Sequence, residues 1–428
     1  MKILSNSFQQ IADSIKNAGQ AMSYVWFFAL PPIFYFLFKV LWMRHINDIF
    51  WAAPDWVVLE IIPPKNIEKS PKPMEALFNG FFGVEKSLNP VEIYIDGAFT
   101  DYMSLEIVGD SGIVHFYIRV MKKYRHLVEA HLFAQYPDVE IIEVPDYVND
   151  VPRVIPNNQW NLWGSDLKYT KNNAYPIKTY PNFEESVTGK MIDPLAGLLE
   201  VMGKLGPNQK LWLQWIIRPT KPEWASINGK PILDKLKGRE SKADGIFERL
   251  WNDIIDIFSN LFKALHSPIE FDDKDDDDDD KQPLEFRLSP VERDVLKAVE
   301  ENLGKPHYYV RPRYLYIGRR ENYDSGIGVS AFFGAMKQFT DENMNGLKPN
   351  STKTTAYHIF IETRLRYLQH KLLRRYRDRS MDGEGGFLVM STEELATVFH
   401  LPDMNVLAPS LTRVEAKRGG APSNLPIE

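Results

Sequence analysis

Hydrophobic and polar positions divide the chain into one long apolar run and a remainder with the alternating and helical spacings of an α+β protein. The run extends from Ala21 to Met43 and contains one charged residue near its end. About 20 helical residues span the hydrocarbon core of a bilayer, so the run predicts a transmembrane helix over residues 21–43. The predicted membrane anchor residues are Tyr24, Trp26, Pro31, Pro32, Lys39 and Trp42.

The segments that flank this run predict how the chain sits at a membrane. Apolar residues spaced through residues 1–20 fit a short amphipathic helix on the membrane surface or a frayed terminus. Lysine and arginine are modestly more frequent in and after the run than before it, which favours a cytoplasmic soluble part. The sequence therefore predicts a single-pass membrane protein whose soluble part lies in the cytoplasm.

Residues 56–147 predict a ferredoxin-like α+β domain. Alternating apolar residues mark strands and helical spacings mark helices, in the order β-α-β-β-α-β. Gly109-Asp110-Ser111-Gly112 predicts a hairpin turn rather than the nucleophile segment of a serine protease. Val91–Ile95 is a candidate additional strand. The six elements are Val57–Ile62, Pro73–Phe82, Tyr102–Val108, Ile113–Val120, Tyr124–Tyr136 and Val139–Val144.

A Pro- and Asn-rich stretch, residues 148–164, predicts a linker to a second α+β domain over residues 165–345. We interpret this domain as β-α-β, an insertion, then α-β-α, and as a candidate diverged copy of the first without a residue-level repeat. The insertion at 267–283 contains the sequence DDKDDDDDDK, whose like charges repel, and it is predicted to be disordered. After it, Ser289, Pro290 and Glu292 predict a capped helix start.

The end of the chain predicts a long basic helix over residues 356–379. Residues 386–428 follow, with a short strand, a helix capped at Ser391 or Thr392, and a Gly- and Pro-rich tail. Three roles remain open for the basic residues of the helix: a solvated face or one paired with the acidic tract, a contact with a partner protein, and a contact with a polyanion. The candidate contacts are Arg364, Arg366, Lys371, Arg374, Arg375, Arg377 and Arg379.

Composition adds few constraints. The 428 residues are 44% hydrophobic and 25% charged, which fits two or three ordinary globular domains. The absence of cysteine excludes disulfides, thiolate metal sites and a cysteine nucleophile. The formal net charge of −6 equals the charge of the Asp272–Lys281 tract alone. The rest of the chain therefore sums to zero, and the overall charge indicates no partner.

No motif in the sequence predicts catalysis, a metal or a cofactor. Each Gly-Lys pair lacks the following Ser or Thr and the spaced Gly of a phosphate-binding P-loop. The segment Gly326–Ala331 matches a dinucleotide fingerprint loosely, and a tight turn into a helix is the better interpretation. His126 and His131 are not one helical turn apart, so the metalloprotease pair is absent and His131 is expected to be a packed side chain.

Five phrases, at residues 128–147, 175–219, 328–339, 391–403 and 413–426, carry a family resemblance. They resemble the membrane-anchored N-terminal region of bacterial type IV secretion and conjugative-transfer ATPases (HerA/TraD-like), of the type found in candidate-phyla bacteria. The most specific phrase is STEELATVFHLPD. In that family the region precedes a RecA-like motor domain, which implies a soluble part at the cytoplasmic side of the inner membrane. The chain ends at Glu428, where the motor would begin, so no catalytic residue is carried over.

Two functions follow as predictions. The first is a non-catalytic, membrane-anchored platform of a type IV secretion- or conjugation-like machine, which docks a P-loop motor ATPase at the inner membrane and is not itself an enzyme. The alternative is a membrane-tethered nucleic-acid-binding protein that uses the basic helix at 364–379. The expected partners are the lipid bilayer and the motor ATPase, with nucleic acid or a second copy of the chain as further candidates. No cofactor is expected.

Overall fold

The structure is a computed structural model that describes residues 27, 30–51, 54–64, 70–183, 192–237, 288–356, 360–381, 383 and 386–403. The chain divides into two compact units. The first unit comprises residues 1–55 and 86–100, and the second comprises residues 56–85 and 101–428.

Nine strands and ten helices are used below. The strands are β1 (Trp56–Ile62), β2 (Met103–Asp110), β3 (Ile113–Met121), β4 (Glu140–Val144), β5 (Trp160–Tyr169), β6 (Gln209–Pro219), β7 (His307–Arg319), β8 (Leu347–Pro349) and β9 (Leu388–Ser391). The helices are α1 (residues 30–51), α2 (Lys72–Phe81), α3 (Pro90–Tyr94), α4 (Arg125–Gln135), α5 (Ala196–Gly203), α6 (Lys230–Leu236), α7 (Pro290–Leu303), α8 (Phe332–Met336), α9 (Ile361–Arg377) and α10 (Thr392–Val398).

Single-turn and irregular helical segments link several of these elements. The 3-10 segments are Phe82–Val84, Lys122–Tyr124, Tyr147–Asp150, Tyr180–Phe183 and Lys337–Phe339. The π-helical segments are Ala225–Gly229 and Gly326–Ala331, the second of which leads directly into α8.

The first unit consists of α1 packed with α3 and the segment that follows α3. Trp42 Nε1 donates a hydrogen bond of 2.9 Å to the carbonyl of Tyr94, and Lys39 Nζ lies 5.5 Å from the centre of the Tyr94 ring. The rings of Phe50 and Phe99 meet edge to face at 5.3 Å. Two residues of the predicted anchor therefore contact α3. The candidate strand Val91–Ile95 is helical instead: residues 91–94 belong to α3 and Ile95 is its C-cap, because Asn89 and Glu92 form a capping box around Pro90.

No helix in the described ranges is both long and apolar enough to cross a membrane. Helix α1 continues past Met43 through Arg44, His45 and Asp48, and these residues lower its mean hydropathy. The predicted transmembrane helix over residues 21–43 is therefore wrong, and so is the single-pass location at the inner membrane that depended on it. The segment 1–20, together with Tyr24 and Trp26, lies outside the described residues.

The second unit is built on one antiparallel sheet of nine strands. Its order is β4-β1-β3-β2-β6-β7-β5-β8. Strand β7 is shared on one side: residues 313–319 pair with β5, and residues 307–310 pair with β9. The order β4-β1-β3-β2 in one half is repeated as β8-β5-β7-β6 in the other, and β2 pairs with β6 where the halves meet. The predicted architecture, an anchor followed by two separate α+β units, is therefore wrong. The strands of both predicted domains share one sheet because β2 and β6 pair along eight residues.

Each face of the sheet carries its own hydrophobic core. Helices α2, α4, α5, α8 and α10 cover the larger core, whose centre includes Phe78, Leu105, Trp215 and Tyr314. The smaller core lies on the other face, where Leu372, Leu373 and Tyr376 of α9 pack against the sheet. The unit therefore has three layers, and α9 is the described helix that covers the second face.

Local chemistry explains several element boundaries. The predicted turn at 109–112 is confirmed, because Ser111 and Gly112 adopt φ of 51° and 91° between β2 and β3. These positive φ values suit the tight hairpin turn. The predicted caps are also confirmed, with Ser289 and Glu292 at the start of α7 and Ser391 and Glu394 at the start of α10.

Other predicted boundaries shift. Strand β5 begins at Trp160, inside the stretch predicted as a linker. The basic helix begins at Ile361 and ends at Arg377. The acidic insertion at 267–283 and the C-terminal tail from residue 404 lie outside the described residues.

Candidate functional site

The basic helix α9 is buried at one end and exposed at the other. In its C-terminal half, Leu372 and Tyr376 are at most 2% exposed. The N-terminal half, residues 360–368, contains only exposed and half-buried positions. Three large apolar side chains are exposed there: Phe360 by 78%, Ile361 by 48% and Tyr367 by 62%. We call residues 360–368 the exposed half of α9.

Beneath the buried half, a row of polar side chains crosses four neighbouring strands. Glu106 of β2 lies opposite Gln214 of β6, Gln214 lies opposite Arg313 of β7, and Arg313 lies opposite Asp166 of β5. Directly opposite residues share one face of a sheet, so all four point towards α9. All four are buried. We call them the polar row.

Arg379, just after α9, joins this row at one end. Its Nε lies 3.0 Å from Glu106 Oε1, and its Nη1 lies 2.6 Å from Asp146 Oδ2. Burial alone would raise the pKa of Glu106, but the charge and hydrogen bonds of Arg379 outweigh it and lower that pKa to about 2. The same partners keep the pKa of Arg379 well above its ordinary value. Arg379 is therefore an internal cation.

Arg313 joins the row to the helix from the sheet side. It pairs with Asp166 at 2.7 Å, and both side chains are fully buried. It also donates to the carbonyl of Arg375 at 2.8 Å, in the last turn of α9, and to that of Ser380 at 3.2 Å, just after the helix. Gln214 Nε2 donates to Glu106 at 2.9 Å and to the carbonyl of Tyr376 at 3.2 Å. The last carbonyl groups of a helix have no partner within the helix, and the polar row donates hydrogen bonds to two of them in α9.

The seven predicted contact residues separate into three groups. Arg379 is buried in ion pairs, and Arg377 donates to the carbonyls of Val148 and Val151 and to Asn149, so both hold the C-terminal end of α9. Lys371 and Arg375 are half-buried and line a small recess beside the helix. Arg364, Arg366 and Arg374 are exposed.

The described anchor residues Pro31, Pro32, Lys39 and Trp42 lie on α1 and are all exposed. The exposed Phe34, Phe36 and Phe38 lie between them, with about two thirds of each side chain accessible. Because none of the described helices meets both the length and the hydropathy of a membrane-crossing helix, these residues are not assigned a membrane anchor role.

The polar row was not predicted from the sequence. Polar residues inside apolar strands were the available signal, as in KLWLQWIIR around Gln214 and YYVRPRYLYI, which contains Arg311 and Arg313. Such residues usually point to solvent on a half-buried strand. Here the second face is also covered, so the same pattern marks buried hydrogen-bonding groups.

A second buried polar cluster surrounds α10. Glu394 accepts hydrogen bonds from the Tyr169 hydroxyl at 2.9 Å, from Ile177 N at 3.0 Å and from Ser391 N at 2.9 Å. Asp193 lies 3.0 Å from His400 Nε2, and its pKa is lowered because that imidazole and two backbone N–H groups outweigh burial. These contacts hold α10 against the larger core.

No group of three or more potential metal ligands was found in the part of the chain that the structure describes. The α9 region presents a helix held at its C-terminal end by the sheet, with aromatic and guanidinium groups exposed at its N-terminal end.

Residues 46–413 match the family described as Domain of unknown function (DUF8128). This span includes every strand and all helices from α2 to α10. The chain belongs to the DUF8128 family. A comparison with curated proteins found no match. The DUF8128 description gives no link to type IV secretion, and nothing in the comparisons supports the secretion and conjugation setting, so that setting is withdrawn together with the membrane anchor.

Proposed function

We propose that this DUF8128 protein is a non-catalytic docking protein that binds a partner protein through the exposed half of α9. One observation carries the proposal: Phe360, Ile361 and Tyr367 are exposed on the first turns of a helix whose other end is locked into the sheet. Large apolar side chains that surround a helix end and stay exposed are typical of interaction sites.

The composition of this surface supports a protein partner. Arg364 and Arg366 lie on the same two turns as Tyr367, and aromatic residues and arginine are the types enriched at protein interfaces. A carboxylate-bearing partner would pair with these guanidinium groups.

The backbone at the start of the helix supports the same proposal. Phe360, the N-cap residue, has φ of 55° and ψ of 43°, in the left-handed region that a bulky side chain rarely adopts. Such a conformation costs on the order of 1–3 kcal/mol and is concentrated at functional sites. The ring is held out into solvent by this conformation, with 78% of its surface exposed.

Rigid presentation favours binding, because less conformational entropy is lost on association. The ion pairs of Arg379 and the carbonyl contacts of Arg313 hold the C-terminal half of α9 on the sheet. The exposed half continues from this fixed base.

The class of partner that we propose is a P-loop ATPase. This part of the proposal rests on the sequence resemblance to the N-terminal regions of motor ATPases and on no structural observation. A second copy of this chain is the competing occupant.

Photo-crosslinking in the native cell tests the proposal. A benzophenone amino acid replaces Tyr367 in one chain and Phe133 of α4, an aromatic residue 45% exposed, in the control chain. We expect position 367, and not position 133, to crosslink to a protein that mass spectrometry identifies as a P-loop ATPase. A crosslink to a second copy would replace this proposal by self-association. The absence of any product specific to position 367 would contradict docking by α9.

A further inference from the structure

A cationic surface extends from α9 to the edge of the sheet. Its first part is a shallow, solvent-open recess lined by Thr352, Leu368, Lys371, Leu372 and Arg375. Lys371 and Arg375 are one helical turn apart, so both cations extend to the same side of α9.

Thr352 gives this recess a hydrogen-bond donor. Its Oγ1 accepts a hydrogen bond of 2.9 Å from Asp166 N, and the hydroxyl donates to no group in the described part of the chain. A hydroxyl can donate and accept at once, so its proton is available to a ligand in the recess. Threonine, lysine and arginine together are typical phosphate contacts.

The second part of the surface is a pair of lysines on the edge of the sheet. Lys168 of β5 lies directly opposite Lys348 of β8, and both are exposed. Opposite residues have Cβ atoms about 5 Å apart, and like charges in that arrangement are destabilising. Within the described ranges neither lysine forms an ion pair, so nothing there offsets the repulsion. An anion bound between the two lysines would offset their repulsion.

The two parts are adjacent on one face. Lys168 lies two residues along β5 from Asp166, and alternate residues of a strand share a face about 7 Å apart. The backbone N–H of Asp166 is the group that bonds Thr352. Asp166 itself adds no free negative charge, because its carboxylate pairs with the buried Arg313. The surface is therefore cationic from the recess to the sheet edge.

We propose that Lys168, Lys348, Thr352, Lys371 and Arg375 form a phosphate-binding site, and that its ligand is the sugar–phosphate backbone of a nucleic acid. Four cations spread over a helix and a sheet edge fit repeated phosphates better than a single ion. The Lys168 and Lys348 pair is the part of the site that lies off α9, whereas Lys371 Nζ lies 5.6 Å from the centre of the Tyr367 ring in the exposed half of α9.

Fluorescence anisotropy with a labelled 20-nucleotide oligothymidylate tests the site in the full chain. The test variant is Lys168→Gln/Lys348→Gln, and the matched control is Lys221→Gln/Lys230→Gln, two exposed lysines elsewhere in the same unit. Each phosphate contact contributes about 0.7 to the slope of log K against log salt for a single strand. We expect the test variant to bind at least five-fold more weakly, with a slope smaller by about 1.4, and the control to match the wild type.

Two further titrations show whether the acidic tract of this chain, free phosphate or a carboxylate polymer competes with the nucleic acid for the site. A chain with the aspartates of 272–281 replaced by asparagine is titrated in parallel, so that competition by this tract cannot hide the site. Inorganic phosphate and an oligoglutamate peptide serve as competitors.

The proposal is supported if the lysine substitutions abolish binding, either in the chain with the natural acidic tract or in the chain with asparagines in that tract. Absence of binding in both chains at low salt, an equal loss in the control, or equal competition by oligoglutamate would overturn it. A melting temperature of the test variant at or above that of the wild type would exclude misfolding as the cause.

Discussion

Arg379 shows how the role of one residue depends on its burial. In the sequence it is one of seven basic residues and a candidate contact for a polyanion. In the structure it has no exposed surface and joins Glu106 of the sheet to Asp146. Removing one partner of such a pair leaves an uncompensated buried charge, which costs far more than the pair itself contributes.

We therefore expect Arg379→Met to lower the free energy of unfolding by about 3–5 kcal/mol, because Glu106 would remain buried without its cation. Urea denaturation followed by tryptophan fluorescence measures this change. The control is Arg374→Met, an exposed arginine of the same helix, which should stay within about 0.5 kcal/mol of the wild type. Equal stabilities for the two variants would contradict an internal role for Arg379.

Glu394 predicts a pH dependence with a defined sign. Burial raises the pKa of Glu394 to about 7, above its ordinary value of 4.5, although the bonds from Ser391, Ile177 and Tyr169 oppose the rise. The folded protein therefore binds this proton more tightly than the unfolded chain. The resulting stabilisation is complete below pH 4.5 and is lost as the pH rises to about 7.

The variant Glu394→Gln cannot titrate, so the difference between its unfolding free energy and that of the wild type should change by up to about 3 kcal/mol between pH 4.5 and pH 7. Denaturation curves at several pH values measure it. His307, whose pKa burial lowers to about 4, acts in the opposite direction, but it is present in both proteins and cancels. Parallel profiles for the two proteins would show that Glu394 does not titrate in this range.

At the scale of elements, local chemistry sets the turns and helix starts. Gly112 has φ of 91° in the β2–β3 turn, with the carbonyl of Leu205 3.2 Å from the position that a Cβ would occupy. Gly334 of α8 has ordinary helical geometry, and a Cβ there would meet nothing within 4 Å.

Alanine at these two glycines should have opposite effects. Gly112→Ala should destabilise the protein by about 1–2 kcal/mol, because an L side chain is strained at that φ. Gly334→Ala should stabilise it by about 0.5–1 kcal/mol through helix propensity. Thermal denaturation of both variants measures the contrast. Destabilisation of similar size at both sites would indicate general sensitivity to substitution rather than the turn geometry described.

Elements with local signals were the predictable ones. The turn at 109–112 and the caps at Ser289 and Ser391 each depend on residues at most three apart, so the sequence alone indicates them. Leu372 and Tyr376, the buried side chains of α9, are likewise one helical turn apart in the sequence. The helix at Pro90–Tyr94 was not predicted, because Val91–Ile95 has the composition of a strand. The capping box of Asn89 and Glu92 outweighs that propensity.

At the scale of the whole molecule, the pairing of distant strands determines the architecture, and the sequence does not indicate that pairing. The joining of β2 to β6 links residues about 110 positions apart, and no local pattern specifies that partner. That pairing turns two predicted domains into one sheet. It also creates the second covered face, so Glu106 and Gln214 become buried hydrogen-bonding groups instead of solvent-facing ones.

The candidate site was predictable only in part for the same reason. The sequence placed seven basic residues on one helix, and the structure leaves Arg364, Arg366 and Arg374 of this set exposed. Which of the seven are internal depends on Asp146, Val148 and Glu106, which lie more than 200 positions away. The lysine pair of β5 and β8 likewise appears only when the strands are paired.

The central claim is that the exposed half of α9 is a binding surface presented by a rigid sheet. The affinity of the partner crosslinked at position 367 tests it most directly, measured by titration calorimetry with the wild type, Tyr367→Ala and Phe133→Ala. Truncating a central aromatic residue of an interface typically costs more than 1 kcal/mol, and 1.4 kcal/mol corresponds to a factor of ten in Kd. We predict a Kd about ten-fold higher for Tyr367→Ala and an unchanged Kd for Phe133→Ala. Equal affinities for all three proteins would contradict the claim.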